Sequence, residues 1–90
     1  MPRIRKIQLD VLKPHLPNVL ELAGAIAALG PDYRVDLDVV EMDEKTESLT
    51  LIIEGRDLDF PRIEDVIKSL GGSIHSIDQC LVVGEAADES

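Results

Sequence analysis

Ile7, Leu9 and Val11 alternate with Lys6, Gln8 and Asp10, the two-residue period of a strand with one buried face, which predicts strand one over about residues 4–13. Pro14 and Pro17 interrupt it, because proline lacks the N–H that ladders and helix interiors use. From Asn18 to Leu29 the spacing becomes helical, with Val19, Ala23, Ile26 and Ala27 on one face, until Gly30-Pro31 stops it. Its start is either Asn18 as cap or Pro17 as a first-turn residue.

Tyr33, Val35, Leu37 and Val39 form the apolar parity of strand two, and Leu49, Leu51 and Ile53 that of strand three, joined by the polar turn Asp43-Glu-Lys-Thr-Glu47. Asp59 caps a second helix with Phe60, Ile63, Val66, Ile67 and Leu70 on one face and Arg62, Glu64, Asp65 and Lys68 on the other. Gly71-Gly72 closes it and a last strand covers about 73–83, where Ile74 and Ile77 disagree in parity and imply a bulge between them.

The order β-α-β-β-α-β is that of the ferredoxin-like split βαβ unit, an α+β sandwich. Right-handed crossovers put both helices on one face of a four-stranded antiparallel sheet ordered 4-1-3-2. The opposite face is then polar, carrying Lys6, Gln8, Asp10, Asp36, Asp38, Thr50, Ile52 and Asp78. Ninety residues allow one such domain, residues 1–84, followed by a flexible acidic tail at 85–90 without apolar periodicity.

Composition narrows the function. Hydrophobic residues make up 44% of the chain but aromatics only 2%, so the core is aliphatic. A net charge of -9 argues against nucleic-acid and anionic-membrane partners, both of which attract basic surfaces. The deficit lies wholly beyond residue 40, where four basic residues face thirteen acidic ones. No apolar run is long enough for a secretory leader or a spanning helix, so a cytoplasmic protein is expected. Cys80 stands alone and reads as a small buried hydrophobe, which argues against thiolate metal transfer.

Glu21 is the only charged side chain between residues 18 and 29, whereas a surface helix normally keeps one charged face. Two faces of that helix are therefore expected to be covered, one by the sheet and one by another subunit, with a small-residue helix that lies close to the sheet and exposes its alanines as the plain alternative. Strands two and four are sheet edges that offer unpaired backbone groups, so self-association into a homo-oligomer is expected.

Candidate chemistry is sparse. The end of strand one, the start of strand four and the turn between strands two and three share one end of the sheet, which gathers His15 and His75 with Glu41, Asp43, Glu44 and Glu47. Imidazole with carboxylate suits Zn²⁺ or Mn²⁺, and carboxylates alone suit Ca²⁺ or Mg²⁺. Pairing His75 with Lys13 would also set Asp78 opposite Asp10, and a divalent cation would relieve their repulsion. Asp10, Asp78, His15 and His75 are thus the candidate metal ligands, with solvated surface groups as the plain alternative. The central strands offer no aromatics for stacking bases, and Lys13-Pro-His-Leu-Pro-Asn18 loses two N–H donors that a phosphate cradle would need. No catalytic constellation emerges from spacing.

Leu9-Asp-Val-Leu-Lys-Pro-His15, Ile53-Glu-Gly-Arg-Asp-Leu-Asp59 and Leu70-Gly-Gly-Ser-Ile-His-Ser-Ile-Asp78, taken in this order, resemble an archaeal family known as domain of unknown function 211, over about residues 3–84. The resemblance implies a ferredoxin-like fold, a small single domain and closed homo-oligomeric rings, and it implies no established activity. The leading expectation is a non-enzymatic, ring-forming protein with a divalent-cation site. The alternative is a regulatory module that binds a small-molecule effector between subunits.

Overall fold

The computed structural model describes residues 2–84; Met1 and the segment 85–90 expected as a tail lie outside the described residues. Six elements follow in the order β1 (Arg3–Pro14), α1 (Val19–Ala27), β2 (Arg34–Met42), β3 (Thr46–Glu54), α2 (Phe60–Ser69) and β4 (Ser73–Val83). The four strands make one antiparallel sheet ordered β2-β3-β1-β4, the 4-1-3-2 arrangement read from the other end. This is an α+β ferredoxin-like fold.

Parity decides the core. Ile7, Leu9 and Val11 of β1 lie opposite Ile53, Leu51 and Leu49 of β3, and all six are buried together with Leu22 and Ile26 of α1, Ile63 and Ile67 of α2, and Leu58. The inward residues of α1 are Leu22 and Ile26, one helical turn apart, with Ala23 half-buried beside them. Asn18 is the cap: its side chain accepts the Glu21 N–H, and the Glu21 carboxylate accepts the Asn18 N–H, forming a capping box. Asp59 caps α2 by accepting the Arg62 N–H. Gly71 ends the turn after α2 at φ 88°, a conformation that glycine adopts without a Cβ clash.

Pro14 ends β1 instead of breaking it, since its missing N–H falls at the last rung of the ladder, beside Thr46. The expected bulge between Ile74 and Ile77 is present: Val11 pairs with Ile74 and Asp10 with Ser76, so His75 is skipped. A second shift follows, with Leu9 opposite Ile77 and Gln8 opposite Gln79, which skips Asp78.

The helices do not cover the whole inner face. At about 1.5 Å per helical residue and 3.3 Å per strand residue, nine- and ten-residue helices span about 15 Å against a strand of about 40 Å. Cys80 shows the consequence. It lies opposite the inward-facing Ile7, yet it is exposed and not buried as expected, because it sits on an uncovered stretch of the edge strand β4. Among the described residues, no helix is long and apolar enough to cross a membrane.

Candidate functional site

Two polar groupings occupy opposite faces of the β1–β3 ladder. The first continues the buried parity: Lys13 follows Val11, Glu47 precedes Leu49, and the two lie directly opposite one another. Lys13 is 1% exposed and Glu47 7%, so the ladder's apolar rungs end in an ion pair. The Lys13 ammonium donates to Glu47 Oε1 at 3.2 Å and to the Pro14 carbonyl at 2.6 Å, with the His15 carbonyl at 3.5 Å. Its three N–H groups thus each face an oxygen.

His15 completes this cluster. Its Nδ1 lies 3.3 Å from Glu47 Oε2, and its Nε2 donates to the carbonyls of Asp43 at 2.8 Å and Glu44 at 3.1 Å. The Glu47 carboxylate raises the His15 pKa above its ordinary 6.5, and the two carbonyls add to the shift against the opposing effect of desolvation. The same bond, with Lys13 as a further cause, holds the Glu47 carboxyl below the usual carboxylate range. Of the groups expected at one end of the sheet, Glu47 and the carbonyls of Asp43 and Glu44 are the ones that meet His15. Its ring, however, is occupied by protein acceptors on both nitrogens, leaving no free lone pair for a metal in this arrangement.

The second grouping lies on the face without helices. Asp10, Leu12, Ser48 and His75 line a shallow open depression there, so His75 does not join His15. Asp10 lies opposite Ser76, not Asp78, because β4 begins its pairing with Leu12 opposite Ser73 and Val11 opposite Ile74, a register in which His75 never faces Lys13. Asp78 instead accepts a hydrogen bond from the Ser76 hydroxyl at 2.7 Å. The four candidate ligands are therefore split: Asp10 and His75 share the depression, Asp78 is bonded along its own strand, and His15 is on the other face. No group of three or more His, Cys, Asp or Glu side chains is placed to hold a metal ion among the described residues.

Lys13 and Glu47 were missed as a unit by the sequence reading. Their signal was present in the inward parity of two opposite charges at facing ends of neighbouring strands.

A third feature concerns the sheet margins. On the β2 edge Val40 is 67% and Met42 61% exposed, and on the β4 edge Ile77 is 54% and Leu81 50% exposed. Leu16 and Leu20, before and within α1, are also exposed. Val40 falls at the register shift between Val39 and Glu41, which turns it out of the regular alternation.

The fold and these sites occur in a chain with recognisable relatives. The model of domain of unknown function 211, described as uncharacterized ArCR, matches residues 5–89. An uncharacterized protein of Methanocaldococcus jannaschii is 42% identical over 89 residues, covering 99% of this chain and 92% of the relative. With the family model spanning nearly the whole chain and that relative aligned almost end to end, this chain belongs to the domain of unknown function 211 family.

Proposed function

We propose that this protein is a non-enzymatic self-assembling module whose two apolar sheet edges pair with those of neighbouring copies to close a ring. The supporting observation is the exposure of Val40 and Met42 on β2 and of Ile77 and Leu81 on β4, at opposite margins of one sheet. Edge strands of soluble proteins are ordinarily blunted by charge or covered. Two different edges make a head-to-tail contact, and a head-to-tail contact that closes gives a cyclic oligomer without further growth.

The test is a mixing experiment. Val40→Lys and Leu81→Lys each place a charge on one edge and are expected to be monomeric by sedimentation velocity. Mixed, they retain one intact β2 edge and one intact β4 edge, so a dimer and nothing larger is expected. Oligomers unaffected by either substitution would contradict the edge assignment.

A second reading is favoured by the depression on the helix-free face. Asp10 and His75 supply a carboxylate and an imidazole beside Leu12 and Ser48, a combination that suits a divalent cation such as Zn²⁺ or Mn²⁺, or a small effector with a cationic group. Because His75 sits on an edge strand, a neighbouring copy could complete that shallow site. Calorimetric titration with Zn²⁺, Mn²⁺, Mg²⁺ and Ca²⁺ tests it, and heat that disappears in Asp10→Ala is the expected outcome. Absence of heat with all four ions removes the cation from this reading.

A further inference from the structure

The cluster at Glu47 joins segments that are far apart in sequence. His15 belongs to the connection between β1 and α1, whereas its Nε2 contacts are the carbonyls of Asp43 and Glu44 in the β2–β3 turn. Carbonyl oxygens only accept, so Nε2 must carry a proton. The other ring nitrogen faces Glu47 Oε2, and an ionised carboxylate also only accepts. A neutral imidazole has one donor and one acceptor nitrogen, so in either tautomer it aims a lone pair at the carboxylate or at the carbonyls and cannot hold both. Only the imidazolium satisfies both sides.

We infer that His15 is a pH-operated clasp, which as the imidazolium ties the β1–α1 connection to the β2–β3 turn and on losing its proton loosens the end of that hairpin. The device is independent of the assembly reading, although the loosened hairpin is the one that carries Val40 and Met42.

Two further features make the response local. Glu47 Oε1 belongs to Lys13, so deprotonation of His15 removes one bond from the carboxylate and leaves the buried ion pair intact. The turn itself has one backbone bond of its own, from the Asp43 N–H to the Thr46 carbonyl at 2.8 Å, so it can loosen without separating β2 from β3. The charged groups on the elements that meet at His15 are Lys13 on β1, Glu47 on β3, the exposed side chains of Asp43, Glu44 and Lys45 in the turn, and Glu21 in the first turn of α1, which is engaged in its cap. Of these, Glu47 is the one bonded to the ring through its side chain. The raised His15 pKa agrees with this geometry.

The test uses the full-length protein with isotope-labelled histidine, its His15 ring signals identified by their loss in His15→Gln, titrated over about pH 5 to 9. The expected result is a midpoint above 6.5, with hydrogen exchange of the peptide around residues 41–48, corrected for the intrinsic pH dependence, rising several-fold over the same range. In Glu47→Gln the amide can donate to Nδ1, so the midpoint should fall below that of the wild type. A wild-type midpoint at or below 6.5, or corrected exchange that stays flat through the titration, overturns the clasp. Both readouts are taken within the protomer, so they stand or fall separately from ring formation, and the wild-type titration decides the matter even where Glu47→Gln folds poorly.

Discussion

The two faces of the β1–β3 ladder use the same residue types to different ends. On the covered face a carboxylate and an imidazole, Glu47 and His15, bond to each other, to Lys13 and to turn carbonyls. On the open face the carboxylate and imidazole of Asp10 and His75 line a depression with Leu12 and Ser48. An acid and a histidine brought together by a fold are therefore not in themselves a ligand site. What separates the cases is whether the chain already supplies their partners, and that follows from parity: odd-numbered positions of β1 and β3 point under the helices, even-numbered ones away.

The widest contrast is in stability. Leu51→Ala empties a fully buried position on the covered face and should cost about 2–5 kcal/mol by chemical denaturation. The comparison loses its basis if the neighbouring outward residue, Ile52, proves equally sensitive. Lys13→Ala comes next, since it leaves Glu47 without its ammonium partner; the denaturation midpoint should fall clearly, and Lys13→Met, which keeps the volume, should recover part of the loss. Asp59→Ala removes the cap of α2 and should cost about 1 kcal/mol. Smallest are Asp10→Ala and His75→Ala on the open face, expected within about 0.5 kcal/mol of wild type. A large destabilisation by either would show that the depression is structural.

The pH dependence separates the faces again. The His15 pKa is raised in the folded protein, so its contribution is fully present below the unfolded value near 6.5 and is lost as pH rises through the folded value. The Glu47 pKa is lowered, so its contribution is present above the unfolded value near 4.5 and is lost as pH falls through the folded one. Stability attributable to the cluster should therefore be greatest between about pH 4.5 and 6.5, and His15→Gln should flatten the upper side of the profile and weaken the lower side, which then rests on Lys13.

Much of this was legible in the chain. Alternation marked Ile7, Leu9 and Val11 and the matching Leu49, Leu51 and Ile53 as core and the parity conflict of Ile74 and Ile77 as a bulge, and residue type gave Asp59 as a cap while leaving Asn18 and Pro17 as alternative starts of the first helix. The register was not legible, because alternation does not say which residue of a neighbouring strand is met: β4 starts with Leu12 opposite Ser73, and even after the bulge at His75 Asp10 meets Ser76 and not Asp78. Nor was the exposure of Cys80, since parity says which face a residue takes and not whether a helix reaches far enough to cover it. Lys13 and Glu47 were overlooked because their charge argued for the surface, while their position in the alternation argued for the interior. Their mutual pairing is what lets position prevail.

Native mass spectrometry of the untagged protein at low micromolar concentration shows whether the apolar edges of β2 and β4 assemble copies of this chain. Edge pairing requires a single closed stoichiometry, a fixed multiple of the 9.9 kDa chain that neither grows with concentration nor trails into a ladder. A spectrum containing only the 9.9 kDa monomer would contradict it.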